Sequence, residues 1–223
     1  MSTLFVTATG TDVGKTFVTT RLIAELRAAR RSVQALKPVA SGFDAADVSA
    51  SDTGVLLDAL GLPATPANLD AVSPWRFAAP LSPDMAAARE RRAIPFAELV
   101  EFCRVPRAAD VTLIEGIGGV MVPLDAEHTV LDWIAALGAP ALLVAGSYLG
   151  TLSHTLTALS VLRAAHVALA GVVVSESETS AVGLADTAQA LRRWTEPAPL
   201  IALPRVTGTE PWRHAPNLSA LLA

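Results

Sequence analysis

The chain has 223 residues, of which 52% are hydrophobic and 17% charged, and its formal net charge is -4. This length suits one α/β domain with a substantial core, and the composition excludes a disordered chain, while the negative balance without a basic run argues against nucleic acid as a partner. The single cysteine, Cys103, excludes an intrachain disulfide, and because no charged leader or bilayer-length apolar run is seen, we expect a cytoplasmic protein without membrane contact.

Short apolar runs alternate with helical patterns along the chain. The apolar runs predict strands at residues 4–7, 32–36, 111–114, 141–145, 169–174 and 200–203. Helices are predicted at residues 16–30, 51–60, 95–104, 130–137, 151–165, 179–194 and 217–222, with one long irregular segment at 62–83. Continuous apolar strands are typical of a parallel sheet that helices cover on both faces. We therefore expect a single three-layer α/β domain over residues 1–223 with a mostly parallel central sheet.

The first predicted strand runs into a turn of small residues that ends in Gly14, Lys15 and Thr16 and opens a helix. In such a turn, backbone N–H groups wrap phosphates, the lysine reaches the outer phosphates, and the hydroxyl can hold Mg²⁺. The strict spacing of this motif would place a glycine at Thr9, whereas the available glycine is Gly10. The strand–turn–helix context predicts a nucleoside-triphosphate site, and the alternative is a solvated lysine in an ordinary turn.

The second predicted strand ends in Lys37, which Pro38 follows directly. Pro38 stops the strand ladder and Gly42 frees the turn, so that Lys37 and Ser41 project from this end of the strand. Ligands of open α/β sheets bind beyond the carboxyl ends of the strands. A lysine there can stabilise a developing anion, and the alternative is a solvated strand-end lysine.

The third predicted strand ends in a carboxylate, Glu115, followed by Gly116, Gly118 and Gly119. P-loop enzymes place an acidic group near Mg²⁺ in this way, and the glycines permit close approach of the backbone to an anion or a substrate. Asp52, at the start of a predicted helix, is a candidate for a second carboxylate at the metal, although an acidic residue there also serves as an ordinary helix cap.

A further glycine turn follows the predicted strand at 141–145. Gly150 and Thr151 open the next helix, and a helix start suits a carboxylate ligand. His154 is a candidate for the same ligand, or else a packed or surface residue.

Together, these motifs resemble those of the dethiobiotin synthetases of the biotin pathway, over nearly the whole chain. The run from Lys37 to Gly42 is the specific element, whereas wider relatives share the P-loop and the Glu115 run. The resemblance implies a P-loop α/β fold of about seven strands, a homodimer, and ATP-dependent closure of a ureido ring. In that family, 7,8-diaminononanoate reacts with CO₂ to a carbamate, ATP phosphorylates the carbamate, and the second amine attacks the mixed anhydride with release of phosphate.

The resemblance also implies roles for individual residues. Lys15 would hold the phosphates, and Lys37 would stabilise the carbamate and the transferring phosphoryl group. The residues around Mg²⁺ would be Thr16, Asp52 and Glu115. The other residues implied at the nucleotide are Asp12, Val13, Gly14, Phe17, Gly116, Gly118, Ser175, Glu176, Leu203, Pro204 and Arg205. The residues implied at the diamine are Ser41, Gly118, Gly119, Gly150, Thr151 and Ser153, the last three from the partner subunit.

Three positions depart from the usual pattern of that family. Ala8 stands where the loop usually begins with glycine, and Ser153 stands where an asparagine is usual. Ser175 and Glu176 replace an Asn-Asp pair that reads the nucleotide base. Because serine lacks the paired donor and acceptor of an amide, we predict weaker selectivity for adenine.

Two other functions fit parts of the pattern. The first is a P-loop amidoligase of the cobyrinic acid diamide synthase type, but those proteins usually add a glutamine amidotransferase domain, which we do not expect in this chain. The second is a partition-type switch ATPase, whose loop requires a lysine at the position of Gly10. ATP hydrolysis that depends on a small diamine and bicarbonate, rather than on a protein or DNA, distinguishes the dethiobiotin synthetases from the switch ATPases.

Overall fold

The structure is a computed structural model that describes residues 2–206 and 216–221. The strands of this part of the chain are β1 (Ser2–Ala8), β2 (Val33–Leu36), β3 (Val39–Ser41), β4 (Trp75–Phe77), β5 (Val111–Glu115), β6 (Ala141–Gly146), β7 (Leu169–Ser175) and β8 (Leu200–Leu203). The helices are α1 (Lys15–Ala28), α2 (Asp52–Leu60), α3 (Pro66–Val72), α4 (Pro83–Arg89), α5 (Phe96–Arg104), α6 (Val130–Leu137), α7 (Thr151–Ala164) and α8 (Leu184–Thr195). None of these helices is long and apolar enough to cross a membrane.

Six parallel strands form the central sheet, in the order β2-β5-β1-β6-β7-β8. Helices cover both faces, because alternate residues of each strand point to opposite sides. In β1, Phe5 belongs to one hydrophobic cluster, in which it meets Trp133 edge-to-face at 4.8 Å between ring centroids. Leu4 and Val6 belong to the cluster on the other face, with Leu22 of α1. The predicted α/β class with a mostly parallel sheet is confirmed.

The described central sheet has six strands, slightly fewer than the expected number of about seven. The six apolar runs of the sequence account for all six, and β3 and β4 form a separate parallel pair. Pro38 separates β2 from β3 and has no N–H to donate to a ladder, so the chain leaves the main sheet there. Val39 is instead paired with Trp75.

The segment 62–83 is more regular than predicted. It contains α3 and β4, and α4 begins at its last residue. The Thr65 side chain accepts a hydrogen bond from Asn68 N and caps α3, while Pro66 occupies the first turn, so local capping supports a short helix despite the prolines. Beyond this segment, α4 continues to Arg89, where no helix was predicted. The predicted helices differ from the structure at their ends: α8 begins at Leu184, and the described part of the predicted terminal helix is the short turn Ser219–Leu221.

The order of the strands determines where the site forms. β2, β5 and β1 are neighbours at one side of the sheet, and all three run parallel. Their carboxyl ends therefore lie side by side. This arrangement brings Lys37, Glu115 and the turn between β1 and α1 to one edge of the sheet, which is where open α/β sheets bind ligands.

Candidate active site

The turn between β1 and α1 wraps back on itself around Lys15. The Lys15 ammonium donates to the carbonyl of Gly10 at 3.2 Å, and Gly14 adopts a left-handed φ of 96° at the start of α1. A Cβ on Gly14 would lie 2.9 Å from Ser175 Oγ, so glycine is required there by both conformation and space. Gly119 packs against the same turn, and its Cβ would lie 3.1 Å from the carbonyl oxygen of Thr9.

Lys37 is the centre of a charge cluster in which Lys37 and Glu115 are buried and Asp52 is half-exposed. Its ammonium donates to Glu115 Oε1 at 2.8 Å and to the Gly116 carbonyl at 2.9 Å, and it lies 3.0 Å from Asp52 Oδ2. Only 2% of the Lys37 side chain and none of the Glu115 side chain is exposed. Buried charges persist when they are paired and hydrogen-bonded, and Lys37 meets both conditions.

The two lysines of the site have pKa values shifted in opposite directions. Burial lowers the pKa of Lys15 to about 8, and the neighbouring Lys37 charge acts in the same direction. Burial also opposes the charge of Lys37, but Glu115 and Asp52 outweigh it and hold the pKa of Lys37 above its ordinary value. Burial works against ionisation of Asp52, yet Lys37 holds its pKa below the ordinary value. The site therefore keeps Lys37 and Asp52 charged.

The donors around Thr16 suit a hard cation. The Thr16 hydroxyl lies 2.8 Å from Asp52 Oδ1 and 2.8 Å from Glu115 Oε1, although it has only one proton to donate. Glu115 Oε2 is buried, and no hydrogen-bond partner is described for it. Mg²⁺ in phosphate-binding sites takes one or two carboxylates, with phosphate and water oxygens completing its shell. This donor set fits Mg²⁺, although no group of three or more His, Cys, Asp or Glu side chains occurs within the described residues.

A cavity of about 810 Å³ opens in front of these groups. The P-loop, Lys37 and Asp52 line it together with Ser41 at the end of β3 and the turn that follows this strand. The remaining wall comes from the segment 80–83 and from Ile117, Gly118 and Val122. The structure thus brings Asp12, Gly14, Lys15, Thr16, Phe17, Lys37, Ser41, Asp52 and Gly118 to one cavity, as the sequence predicts. Val13, Gly116 and Gly119 lie beside this cavity rather than in its lining.

The residues predicted at the nucleotide base lie at the ends of β7 and β8. Ser175 is paired with Leu203 across the two strands, and Glu176 N donates to the Leu203 carbonyl at 2.9 Å. The Glu176 carboxylate accepts from Arg205 N at 2.8 Å, so it holds the backbone next to Pro204. Since Ser175 Oγ lies close to Gly14, this group is continuous with the P-loop.

The turn at the start of α7 is not part of the cavity described above. Gly150 has a left-handed φ of 97°, and neither it, Thr151 nor Ser153 is among the residues that line the cavity. The buried Thr151 hydroxyl donates to the Gly146 carbonyl at 2.6 Å. This hydrogen bond stabilises the turn itself. Leu149 and Ser153 are exposed.

Two buried hydroxyl residues, Ser73 and Thr53, help to hold Lys37 in position, and no sequence motif pointed to them. The backbone N–H of Lys37 donates to the Val72 carbonyl at 3.0 Å, and its carbonyl accepts from the Ser73 hydroxyl. Ser73 Oγ lies 2.8 Å from Thr53 Oγ1, and both residues are fully buried. No motif marks either residue, since the contacts join three segments that are distant in sequence.

Solved structures resemble this fold at low sequence identity. Chloroplast FtsY from Physcomitrella patens aligns with a TM-score of 0.54 at 13% identity, over 100% of this chain and 65% of that chain. The signal recognition particle receptor FtsY from Elizabethkingia anophelis aligns with a TM-score of 0.51 at 15% identity, over 99% of this chain and 64% of that chain. At these identities the similarity shows the fold alone.

Similarity to curated proteins is much higher. Residues 2–213 match a family model described as an AAA domain. An ATP-dependent dethiobiotin synthetase from Methylobacterium nodulans is 52% identical over 86% of this chain and 89% of its own length. One from Acidiphilium cryptum is 51% identical over 86% of this chain and 88% of its own length. One from Caulobacter is 48% identical over 100% of this chain and 96% of its own length. The chain therefore belongs to the AAA domain family and, within it, to the ATP-dependent dethiobiotin synthetases.

Proposed function

We propose that this protein closes the ureido ring of dethiobiotin from 7,8-diaminononanoate and CO₂, with ATP as the co-substrate and Mg²⁺ as the metal. One observation carries the proposal: Lys15, Lys37, Asp52 and the P-loop hydroxyl of Thr16 line the same cavity. The reaction moves negative charge from a carbamate to phosphoryl oxygens and then to phosphate. Two ammonium groups and a metal site are the stabilisers that such a reaction requires.

The two lysines divide the anionic groups between them. Lys15 lies inside the P-loop, where a lysine reaches the outer phosphates of a bound nucleotide. Lys37 follows β2, which β5 separates from β1, and it lines the cavity in front of that loop. We assign Lys37 to the carbamate and to the phosphoryl group that it receives. Hydrogen bonds that involve an ionised group are roughly twice as strong as those between neutral groups. Each lysine therefore stabilises an anionic group more than a neutral donor in its place would.

The metal site that we assign consists of Thr16, Asp52 and Glu115. Bound Mg²⁺ would neutralise charge on the terminal phosphates of ATP. The Thr16 hydroxyl lies 2.8 Å from an oxygen of each carboxylate, which supports the assignment of these three residues to one ion. Lys37 lies 2.8 Å from Glu115 and 3.0 Å from Asp52, so both carboxylates lie within one small cluster of charged groups.

The diamine side of the cavity is assigned to Ser41 and to the Gly118–Gly119 backbone. Because Gly150, Thr151 and Ser153 do not line the cavity of their own chain, we propose that they reach the site of a second subunit in a homodimer. The exposure of two leucines beside them supports this: Leu149 is 81% exposed and Leu152 is 43% exposed. Large exposed apolar side chains next to one another favour a protein contact.

The nucleotide base is assigned to Ser175, Glu176 and the backbone at residues 203–205. These residues are continuous with the P-loop, and the Glu176 carboxylate is already bonded to Arg205 N at 2.8 Å. A side chain bound in this way positions the loop rather than reading the base directly. Discrimination between bases therefore depends on Ser175 and on backbone groups.

The test is dethiobiotin formation by the purified protein with 7,8-diaminononanoate, bicarbonate, Mg²⁺ and each nucleoside triphosphate in turn. We expect one phosphate released for each dethiobiotin formed, and no release when the diamine is left out. Phosphate release that ignores the diamine but rises with DNA or a protein partner would instead favour a switch ATPase.

A further inference from the structure

The carboxylates assigned to the metal are already paired with a cation of the chain itself. Lys37 Nζ lies 2.8 Å from Glu115 Oε1 and 3.0 Å from Asp52 Oδ2. The same Glu115 Oε1 lies 2.8 Å from the Thr16 hydroxyl. One oxygen is thus shared between the ammonium and the donor set that suits a divalent ion.

A second cation beside this oxygen would lie next to the ammonium in a buried site. Two positive charges that share one carboxylate oxygen repel each other strongly where water does not screen them. The ammonium also donates to the Gly116 carbonyl at 2.9 Å, and that acceptor carries no charge. Lys37 can therefore keep its hydrogen bond to the Gly116 carbonyl when a metal ion binds its two carboxylate partners.

We propose that in the nucleotide-free protein Lys37 is the counter-ion of the metal carboxylates, and that divalent-cation binding frees its ammonium from Asp52 and Glu115 for the cavity. The inference rests on the metal site assigned under the proposed function. It links two events in the site, because Lys37 becomes available to an anionic substrate group only once its carboxylates are satisfied by another cation.

Lys15 supplies a matched comparison. Lys15 and Lys37 are the only lysines of the sequence, and both line the same cavity. The hydrogen bond described for the Lys15 ammonium goes to the Gly10 carbonyl at 3.2 Å, not to a carboxylate. Replacing either lysine by glutamine removes one positive charge from the site, but only the change at Lys37 removes the direct competitor of the metal.

The first experiment measures Mn²⁺ binding to nucleotide-free protein by electron paramagnetic resonance of the free ion. We expect Lys37→Gln to tighten Mn²⁺ binding by about tenfold or more, and Lys15→Gln to tighten it by about threefold or less. Equal effects of the two substitutions, or unchanged or weaker binding by Lys37→Gln, would overturn the proposal. Lys37→Met repeats the test if the glutamine variant does not fold, as judged by thermal unfolding.

The second experiment needs no substitution in the protein that is measured. Selective ¹³C labelling of lysine gives side-chain signals from two residues, which the glutamine variants assign. Mg²⁺ alone should move the ε-methylene signal of Lys37 more than that of Lys15. A Lys37 signal that stays in place while Mn²⁺ binding is measurable in the same preparation would contradict the release of its ammonium.

Both readouts exclude nucleotide, diamine and turnover, so they separate this inference from the proposed function. Dethiobiotin formation without the expected Mn²⁺ pattern would reject the counter-ion role alone. The expected Mn²⁺ pattern in a protein that forms no dethiobiotin would reject the proposed reaction alone.

Discussion

Lys15 and Lys37 show how the neighbours of a buried side chain decide its charge. Both ammonium groups are buried, and burial acts against the charge of each. Lys37 touches two carboxylates and stays charged, whereas Lys15, hydrogen-bonded to the Gly10 carbonyl, has a pKa of about 8. Among the residues that the structure describes, no carboxylate forms a direct ion pair with Lys15, and an anionic ligand would supply that partner.

Lys15→Ala should reduce turnover roughly a thousandfold or more, the scale of removing a charge stabiliser from phosphoryl transfer. The same change should leave the protein folded at the assay temperature, because the lowered pKa of Lys15 means that folding disfavours its charge, which offsets part of the packing that is lost. Phosphate release and thermal unfolding measured on one preparation check both statements. Turnover close to that of the unsubstituted protein would refute the assignment of Lys15 to the phosphates.

Glu115→Gln keeps the shape of a fully buried side chain and removes its charge. If Glu115 supports Mg²⁺, the variant should need much more Mg²⁺ for half-maximal activity. Glu101→Gln, at an exposed position of α5, is the control and should leave the Mg²⁺ titration unchanged. An unchanged titration in Glu115→Gln as well would mean that Glu115 serves only to pair with Lys37.

Among the secondary-structure elements, β7 and β8 end in the residues that we propose for the nucleotide base, and α5 carries the single cysteine. Ser175 ends β7 beside the P-loop, and its pairing with Leu203 fixes its distance from β8. Cys103 lies on the buried face of α5 with Leu99 and Val100. Ser175 and Cys103 therefore lead to two separate predictions, the first about nucleotide specificity and the second about thiol reactivity.

We predict that this enzyme accepts other nucleoside triphosphates with efficiencies closer to that for ATP than a relative with asparagine at the position of Ser175 would show. Ser175 offers no amide to the base, and a missing contact of that kind withdraws about 1–3 kcal/mol of discrimination. Ser175→Asn should sharpen the preference for ATP, measured as the ratio of kcat/KM values. Thr179 is exposed on the loop after β7, and the control substitution Thr179→Asn should leave the preference for ATP unchanged. Strict ATP preference in the unsubstituted protein would indicate that backbone groups at residues 203–205 read the base.

Cys103 should be unreactive in the folded protein. Burial raises the pKa of its thiol to about 12, so at pH 8 only about one thiol in ten thousand is the nucleophilic thiolate. Iodoacetamide at pH 8 should therefore alkylate the unfolded chain rapidly and the folded chain very slowly, as mass spectrometry can measure. Similar rates for the two states would show that α5 opens readily.

At the scale of the whole molecule, the turn before α7 is the segment that we propose to reach the site of a second subunit. Within one chain this turn is outside the cavity, and its leucines are exposed. A homodimer that buries Leu149 would satisfy both observations. Subunit association and diamine binding would then depend on the same surface.

Leu149→Asp should shift the protein toward monomer and raise the KM for 7,8-diaminononanoate, because a carboxylate cannot be buried unpaired in an apolar contact. Sedimentation velocity and steady-state kinetics measure the two effects. Leu62→Asp is the matched control, since Leu62 is an exposed leucine (41%) on another surface. If Leu149→Asp remains a dimer with an unchanged KM, the subunit contact lies elsewhere.

Much of the fold follows from local patterns. The six apolar runs correspond to the six strands of the main sheet, since a strand that helices cover on both faces must be apolar throughout. The turn before Lys15 and the positions of Lys37 and Glu115 at strand ends are equally local features. The prolines between 62 and 83 led to the prediction of an irregular segment there. The structure instead forms α3, which depends on a cap at Thr65, and β4, which depends on pairing with β3.

What the residue pattern could not supply is the set of neighbours across the fold. Nothing local states that β2 and β1 flank β5, yet this order places Lys37 against Glu115 and both beside the P-loop. The Ser73 and Thr53 hydroxyls behind Lys37 and the opposite pKa shifts of the two lysines arise in the same way. Periodicity reports whether a side chain is buried, whereas its charge state depends on partners that only long-range packing brings together.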